Sequence, residues 1–356
     1  MKKRIGLLYG GKSAEHEVSL STASAVTKAL NFDKYEVIPV YITHEGEWRK
    51  GPALTGAASG IEQLQIAEGS STPNDVAGFL PSDPAQKLDV IIPLLHGPNG
   101  EDGTVQGFLE VMNVPYVGNG VLASSAGMDK VIMKQLFDQA GLNQTPYVYF
   151  IRREWQNDQA FWIEKIKAEL NWPVFVKPAN LGSSVGISKA ESPEELVASV
   201  EEALKFDRKI VVEQGVSARE IEVGVLGNDY PECSVAGEIK PLKAFYDYQA
   251  KYKDGNTALV IPAELEAEVY EKLVEAATKA FKILDCSGLI RADFFVTATN
   301  EILINEINTL PGFTPYSMFP LLWENTGLPY PDLIERLIEL AIERHEEKQL
   351  LQVRMD

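Results

Sequence analysis

Residues 291–308, RADFFVTATNEILINEIN, constrain the fold of this chain more than any other segment. Two alternating runs flank a short polar centre, the pattern of a β-hairpin with one packed face. Side chains alternate along a strand, so Arg291 and Asp293 share a face, as do Glu306 and Asn308. A two-residue turn at Thr299-Asn300 sets Asp293 opposite Glu306 and Arg291 opposite Asn308. Phe294, Val296, Leu303 and Ile307 then fall on the other face and pack. Cross-strand neighbours lie about 5 Å apart at Cβ, and two carboxylates that close repel unless positive charge lies between them. Such oxygens beside a phosphate describe a magnesium site. A one-residue slip would send one polar pair to the apolar face.

With 356 residues the chain exceeds one ordinary core, so two or three domains are expected. It is 45% hydrophobic and 24% charged, a soluble globular balance. The net charge of −18 repels nucleic acid and anionic membranes, so neither is an expected partner. Cys233 and Cys286 offer no disulfide framework or zinc quartet. His16, His44, His96 and His345 are scattered, which argues against a histidine metal site. The apolar run in MKKRIGLLYGG is short for a signal peptide, and no segment has the apolar length of a membrane span, so a cytoplasmic protein is expected.

Strands are expected at residues 4–9, 35–42, 88–95 and 114–117, with helices at 18–30 and 102–112. That alternation predicts a doubly wound parallel sheet up to about residue 120. Residues 51–86, rich in Gly, Ala, Ser and Pro, read as an excursion with few fixed contacts. Helices at 128–140 and 160–170 and the strand-loop-strand PVFVKPANLGSSVGISK open a second unit. Its helix SPEELVASVEEAL has Ser192 as N-cap, Pro193 at the first position and Glu195 closing a capping box. The strand KIVVEQ follows. From about residue 218, EIEVGVLG and SVAGEIK predict antiparallel strands, followed by a polar loop, a helix at 263–284, the hairpin and a final helix at 330–347. The units are placed at residues 1–122, 123–214 and 215–356.

Residues 6–13, GLLYGGKS, match the phosphate-loop pattern G-x-x-x-x-G-K-[ST] letter for letter. Leu7, Leu8 and Tyr9 belong inside a strand, however, and a loop made of them would expose apolar side chains. Gly10-Gly11 more simply brings backbone close to a small ligand at the strand's carboxyl end. Glu15 there suits an ammonium group, or serves as a first-turn acid favoured by the helix dipole. A second phosphate-binding candidate is Gly182-Ser183-Ser184-Val185-Gly186, whose N–H groups are free to clasp oxygens, with Lys177 at its base. Glu213-Gln214-Gly215-Val216 follows a strand and could read an adenine edge, and Glu220 could accept from ribose hydroxyls or serve as a strand salt-bridge partner. FYDYQAKY, residues 245–252, suits a lid, with Lys251 reaching a terminal phosphate and Tyr252 a polar substrate. The Gly312 N–H could meet an oxyanion beside Arg291. His96 ends the buried strand of the first unit and faces the same crevice, or is a satisfied structural histidine.

Together GGKSAEHEVSL, HGPNGEDGTVQG, VKPANLGSSVG, FYDYQAKY, RADFF and NEINTLPGFTPYSMFP resemble the D-alanine–D-alanine ligases of the ATP-grasp superfamily, in the family's order and over nearly the whole chain. The resemblance implies α/β and α+β architecture in three domains: an N-terminal doubly wound parallel sheet, a central α+β domain, and a C-terminal α+β domain with an antiparallel sheet. It implies a homodimer joining two D-alanines with ATP, through an acyl phosphate, for peptidoglycan precursor synthesis. Glu15 would hold the first D-alanine's ammonium, with His96 near its carboxylate; Glu15, Ser183 and Tyr252 would form a triad closing the lid. Lys130, Lys177, Ser183 and Ser184 would contact the nucleotide and Lys251 its γ-phosphate. Glu213, Gln214, Val216 and Glu220 would line the adenine and ribose site. Asp293, Glu306 and Asn308 would bind two magnesium ions, replaceable by manganese. Arg291 and Gly312 would steady the tetrahedral intermediate, and Ser317 and Met318 would meet the second D-alanine. Gln214 stands where many members have lysine, Met318 where leucine is usual, and residues 51–86 are longer than in compact members. A D-alanyl-D-lactate ligase is the nearest rival, and Tyr252 favours the peptide. Another carboxylate–amine ligase and a phosphate-loop nucleotide switch are the others.

Overall fold

In the computed structural model, which describes residues 2–67, 87–241 and 257–352, the chain builds three sheets. The first has strand order β3-β2-β1-β4, from β1 (Lys3–Gly10), β2 (Tyr35–Ile42), β3 (Trp48–Lys50) and β4 (Val90–Pro93). β1 runs parallel to both β2 and β4. Its residues Ile5, Leu7, Leu8 and Tyr9 are fully buried, because helices cover both faces of a parallel sheet. α1 (His16–Ala29) packs Leu20, Ala23 and Val26 on Ile5, Leu7 and Tyr9, while α2 (Thr104–Val111) packs Val105 and Leu109 on Leu8 and Ile91. Burial of residues 7–9 in a strand removes the phosphate-loop reading of GLLYGGKS. The bend after β1 needs glycine: Gly10 has φ 92°, and a Cβ there would lie 2.1 Å from the Ile42 carbonyl oxygen.

Two expectations for this unit change. Residues 114–117 form no strand, only a single parallel bridge between Tyr116 and Ile91. Residues 51–67 are docked rather than loose: Leu64 and Ala58 are buried, and the enclosed Tyr9 hydroxyl donates to the Leu64 carbonyl at 2.7 Å. A buried hydroxyl needs such a partner, and this segment supplies it.

α3 (Val121–Met128) and α4 (Lys130–Ala140) lead to the second sheet, an antiparallel β5-β8-β6-β7. It comprises β5 (Tyr147–Ile151), β6 (Val174–Pro178), β7 (Ser188–Ala190) and β8 (Lys209–Gln214), with α5 (Arg152–Asn157), α6 (Gln159–Glu169) and α7 (Pro193–Ala203). Ser192 Oγ accepts from the Glu195 N–H as expected, but the Glu195 carboxylate accepts from the Glu191 N–H, so the capping box does not close on Ser192.

The third sheet is antiparallel, β11-β10-β9-β12-β13, from β9 (Ala218–Gly227), β10 (Glu232–Pro241), β11 (Thr257–Val260), β12 (Gly288–Thr297) and β13 (Ile302–Asn308). α8 (Ala267–Ile283) buries Leu273, Ala277 and Phe281 against it, as do Ala123 and Ala126 of α3 and Met133 and Phe137 of α4. α9 (Met318–Thr326) and α10 (Tyr330–Gln349) lie on its other side. α10 spans two sheets: Arg344 donates to the carbonyls of Tyr116 and Gly118 and to Ser287 Oγ, and Glu335 accepts from the Tyr35 hydroxyl at 2.8 Å.

The hairpin reaches its expected pairing by another route. Arg291 faces Asn308 and Asp293 faces Glu306. The connection is not the two-residue turn, however. Thr297 pairs with Glu301 across the three residues 298–300, with Asn300 at φ 61°. That loop shifts the register by one, setting Phe294 against Ile304 and Val296 against Ile302. A bulge at Asn305 then adds one residue to β13 and restores the pairing beyond it. As a result Ile302, Ile304 and Ile307 face the core, and Leu303 belongs to the opposite face. Asn300 is among the few residue types at ease in the left-handed region. Asn300→Val should destabilise the protein by about 1–2 kcal/mol while Asn300→Gly stays near neutral. Thermal melting checks this, and equal midpoints for the two variants would contradict it.

Candidate active site

The polar face of the hairpin is a row of charges held by sheet register. Arg291 donates from Nε and Nη2 to the two carboxylate oxygens of Asp293, both at 2.7 Å, and its Nε lies 2.9 Å from Glu222 Oε2. Glu222 faces Asp293 across β9 and β12, as Glu306 does across β12 and β13. Asn308 Nδ2 donates to Asp293 Oδ2 at 2.9 Å. Burial alone would disfavour the guanidinium charge, but Asp293 and Glu222 outweigh it and hold Arg291 protonated. Lys130 Nζ approaches Glu306 Oε2 at 3.6 Å and donates to the Leu181 carbonyl at 2.9 Å. Two carboxylates and an amide brought together by register are a hard-oxygen donor set fitting a divalent cation; here Arg291 and Lys130 balance their charge.

Beside this row lies a cleft of about 390 Å³, lined by Lys177, Ser184, Glu213, Gln214, Val216, Glu220, Asp293 and Glu306 among others. Of the expected nucleotide contacts it gathers Lys177, Ser184, Glu213, Gln214, Val216 and Glu220, while Lys130 and Ser183 are not in its lining. Glu213 is buried with its Oε2 3.3 Å from Lys134 Nζ and 3.2 Å from Lys177 Nζ, and Thr145 donates to it at 3.2 Å. Burial would raise its pKa, yet Lys134 and Lys177 together lower it. Burial lowers that of Lys134, which Glu213 partly opposes. Gln214 accepts from the Asn171 backbone N–H at 2.9 Å, so its side chain braces the loop before β6. The Asn305 Oδ1, turned inward by the bulge, lies buried without a protein partner, as an acceptor awaiting a ligand would. Ser183 and Ser184 both have positive φ, 53° and 58°, the sharply turned backbone from which loops present N–H groups to anions.

Ser183 Oγ donates to Glu15 Oε1, tying this loop to the bend after β1. Ser13 Oγ receives the Glu15 N–H at 3.1 Å and donates to the His96 carbonyl at 2.9 Å. His96 is buried, hydrogen-bonds the Leu310 backbone, and has its Nε2 without a protein partner. Burial lowers its pKa and Glu15 opposes that. Glu101 accepts from the Gly97 N–H at 3.0 Å, and its pKa is pushed up to about 8 by burial, with Glu15 adding to the effect. Past Leu310, a Cβ on Gly312 would stand 3.2 Å from Ser317 Oγ, which bonds Thr314 at 2.8 Å. Met318 opens α9 and is buried with Ile239 and Leu322.

Lys251, Tyr252 and the rest of residues 245–252 lie outside the described residues, as do residues 68–86. Sequence reasoning missed Glu222, Lys134, Glu101 and Asn305. Glu222 was findable, since it stands two residues beyond Glu220 on one strand. Lys134 is one helical turn after Lys130 and shares its face. The histidines are less scattered than they read, because the rings of His16 and His44 stack with centroids 3.7 Å apart.

The family described as D-ala D-ala ligase N-terminus matches residues 4–119, and that described as D-ala D-ala ligase C-terminus matches residues 136–339. A D-alanine–D-alanine ligase of Bacillus licheniformis is 59% identical over 355 residues, 98% of each chain. One of Listeria monocytogenes is 55% identical over 369 aligned positions, 100% of each chain. Among solved structures, the D-alanine–D-alanine ligase from Coxiella burnetii superposes with TM-score 0.83 at 34% identity, covering 98% of this chain and 96% of its own. A D-Ala:D-Ser ligase from Enterococcus faecalis superposes with TM-score 0.81 at 34% identity, over 96% of this chain and 100% of its own. Set beside a cleft that unites a lysine, a serine loop and an acidic hairpin, these likenesses show that the chain belongs to the D-alanine–D-alanine ligases, enzymes of the ATP-grasp fold.

Proposed function

We propose that the chain condenses two D-alanines with ATP in the cytoplasm, through an acyl phosphate, supplying a peptidoglycan precursor. The carrying observation is that Ser183 Oγ donates to Glu15 Oε1, which joins the serine loop at the cleft to the carboxylate that also acts on the buried His96. The three units act as domains at residues 1–122, 123–214 and 215–356, and two copies pair as a homodimer.

Glu15 receives the ammonium of the first D-alanine, and His96 lies by its carboxylate. Lys130, Lys177, Ser183 and Ser184 hold the phosphates of ATP. Glu213, through its lysines, and Val216 and Glu220 shape the adenine and ribose end, with Gln214 as a brace. Lys251 and Tyr252, outside the described residues, would serve the terminal phosphate and the Glu15–Ser183 pair. Asp293, Glu306 and Asn308 would hold two magnesium ions, which when bound spread the charge of the transferring phosphoryl group. The first D-alanine's carboxylate oxygen takes the terminal phosphoryl group as ADP leaves. The second D-alanine, its carboxylate set by Ser317 and Met318, attacks the acyl carbon through its amine. Arg291 and the Gly312 N–H stabilise the tetrahedral oxyanion, and phosphate departs as the amide forms. Exclusion of water protects the acyl phosphate from hydrolysis.

Purified protein with ATP, magnesium and D-alanine should release phosphate and yield a dipeptide, while L-alanine should not replace D-alanine. Absence of D-alanine-dependent phosphate release would end this reading. D-serine and D-lactate offered as second substrates test the neighbouring specificities; D-alanine should be preferred. Replacing Arg291 with alanine should lower kcat by about 10²–10³ while nucleotide binding persists. An unchanged kcat would take Arg291 out of the chemistry, and Arg291→Lys, which keeps the buried charge, separates that effect from misfolding. Lys177→Ala should weaken nucleotide binding by about tenfold or more, and Lys12→Ala should leave it intact. The reverse pattern, read by calorimetry, would restore the phosphate-loop alternative.

A further inference from the structure

A second metal-ligating cluster lies on the far side of the bend after β1. One ligand atom each from His16, Glu17 and His44 falls within 4.8 Å of the other two. His16 and Glu17 open α1, and His44 sits in the turn between β2 and β3. His16 Nδ1 lies 2.7 Å from the Gly11 carbonyl oxygen. A carbonyl only accepts, so Nδ1 carries the proton and Nε2 presents its lone pair, the arrangement by which proteins orient a metal-binding imidazole. That Nε2 accepts from the Tyr41 hydroxyl at 3.3 Å, a contact that an entering ion would displace. Glu17 Oε1 stands 3.9 Å from His44 Nε2.

We propose that His16, Glu17 and His44 form a site for a borderline transition-metal ion, zinc or cobalt, separate from the oxygen-donor row at Asp293. Two imidazoles and one carboxylate, with water in the remaining position, are a donor set such ions take and magnesium does not. The present stack is not the bound geometry. Its ring planes meet at 21°, so the lone pairs run nearly side by side. The His44 side chain is 58% exposed and that of Glu17 66%, so both can turn toward the fixed His16 ring. A bound ion ties the β2–β3 turn to the first turn of α1.

The whole protein, held in excess magnesium to fill the oxygen-donor row, is titrated with cobalt and with zinc. The expected result is one cobalt per chain with the visible absorption of a four- or five-coordinate ion, displaced by zinc, and a melting temperature raised by zinc. His44→Ala and Glu17→Gln alter exposed side chains and leave the fold intact. Each should weaken binding by more than about tenfold and abolish the zinc-induced rise. Equal binding by the wild type and both variants, or no stoichiometric binding by the wild type, would overturn the site.

Discussion

Arg291 is the residue on which the polar face of the hairpin depends. It is nearly buried, and so is Glu222; Asp293 lies beside them. Three charged groups in so little water are costly unless each is paired and hydrogen-bonded. Arg291 meets that condition with a forked contact to Asp293 and a shared one to Glu222, a geometry that only a planar guanidinium offers. Removal of one partner from such a set costs about 3–5 kcal/mol, because the others stay buried without compensation. The pairing therefore holds the acidic row together, and it keeps a guanidinium beside the carboxylates that would receive a cation.

The rest of the architecture brings distant chain segments to that row. The parallel sheet contributes only what projects from its carboxyl edge, Glu15 and His96, as open α/β sheets do. The serine loop of the second sheet meets Glu15 directly. α10 fastens the first sheet to the third through Arg344, which is stacked 4.4 Å over Tyr116 and bonded to three oxygens. α3 and α4 precede the second sheet in sequence but pack with the third, so Lys130 and Lys134 reach Glu306 and Glu213 from the third sheet's side.

Much of this was legible from local pattern. The apolar run at residues 4–9 marked β1 as a strand, and the alternation in β12 placed Arg291 and Asp293 on one face. Capping at Ser192 was visible because the relevant atoms lie within one turn of helix. Harder to see were partnerships between segments far apart in sequence. Lys134 looks like a surface lysine until Glu213, 79 positions later, is folded against it. Leu64 and Ala58 sit in a stretch whose composition suggests looseness, but the buried Tyr9 hydroxyl donates to the Leu64 carbonyl and the Thr27 hydroxyl accepts from the Ala58 N–H. Glu101 reads as a loop acid until the fold sets Glu15 beside it.

The hairpin carries a further lesson in parity. Its turn is one residue longer than the simplest reading, and its second strand holds one residue more than the first can pair. Either change alone would turn Glu306 and Asn308 toward the core; together they cancel. What the polar face requires is thus an even count rather than a particular length. A single insertion or deletion between Asp293 and Glu306 would reverse the face, whereas a matched pair, one in the turn and one at the bulge, would rebuild it.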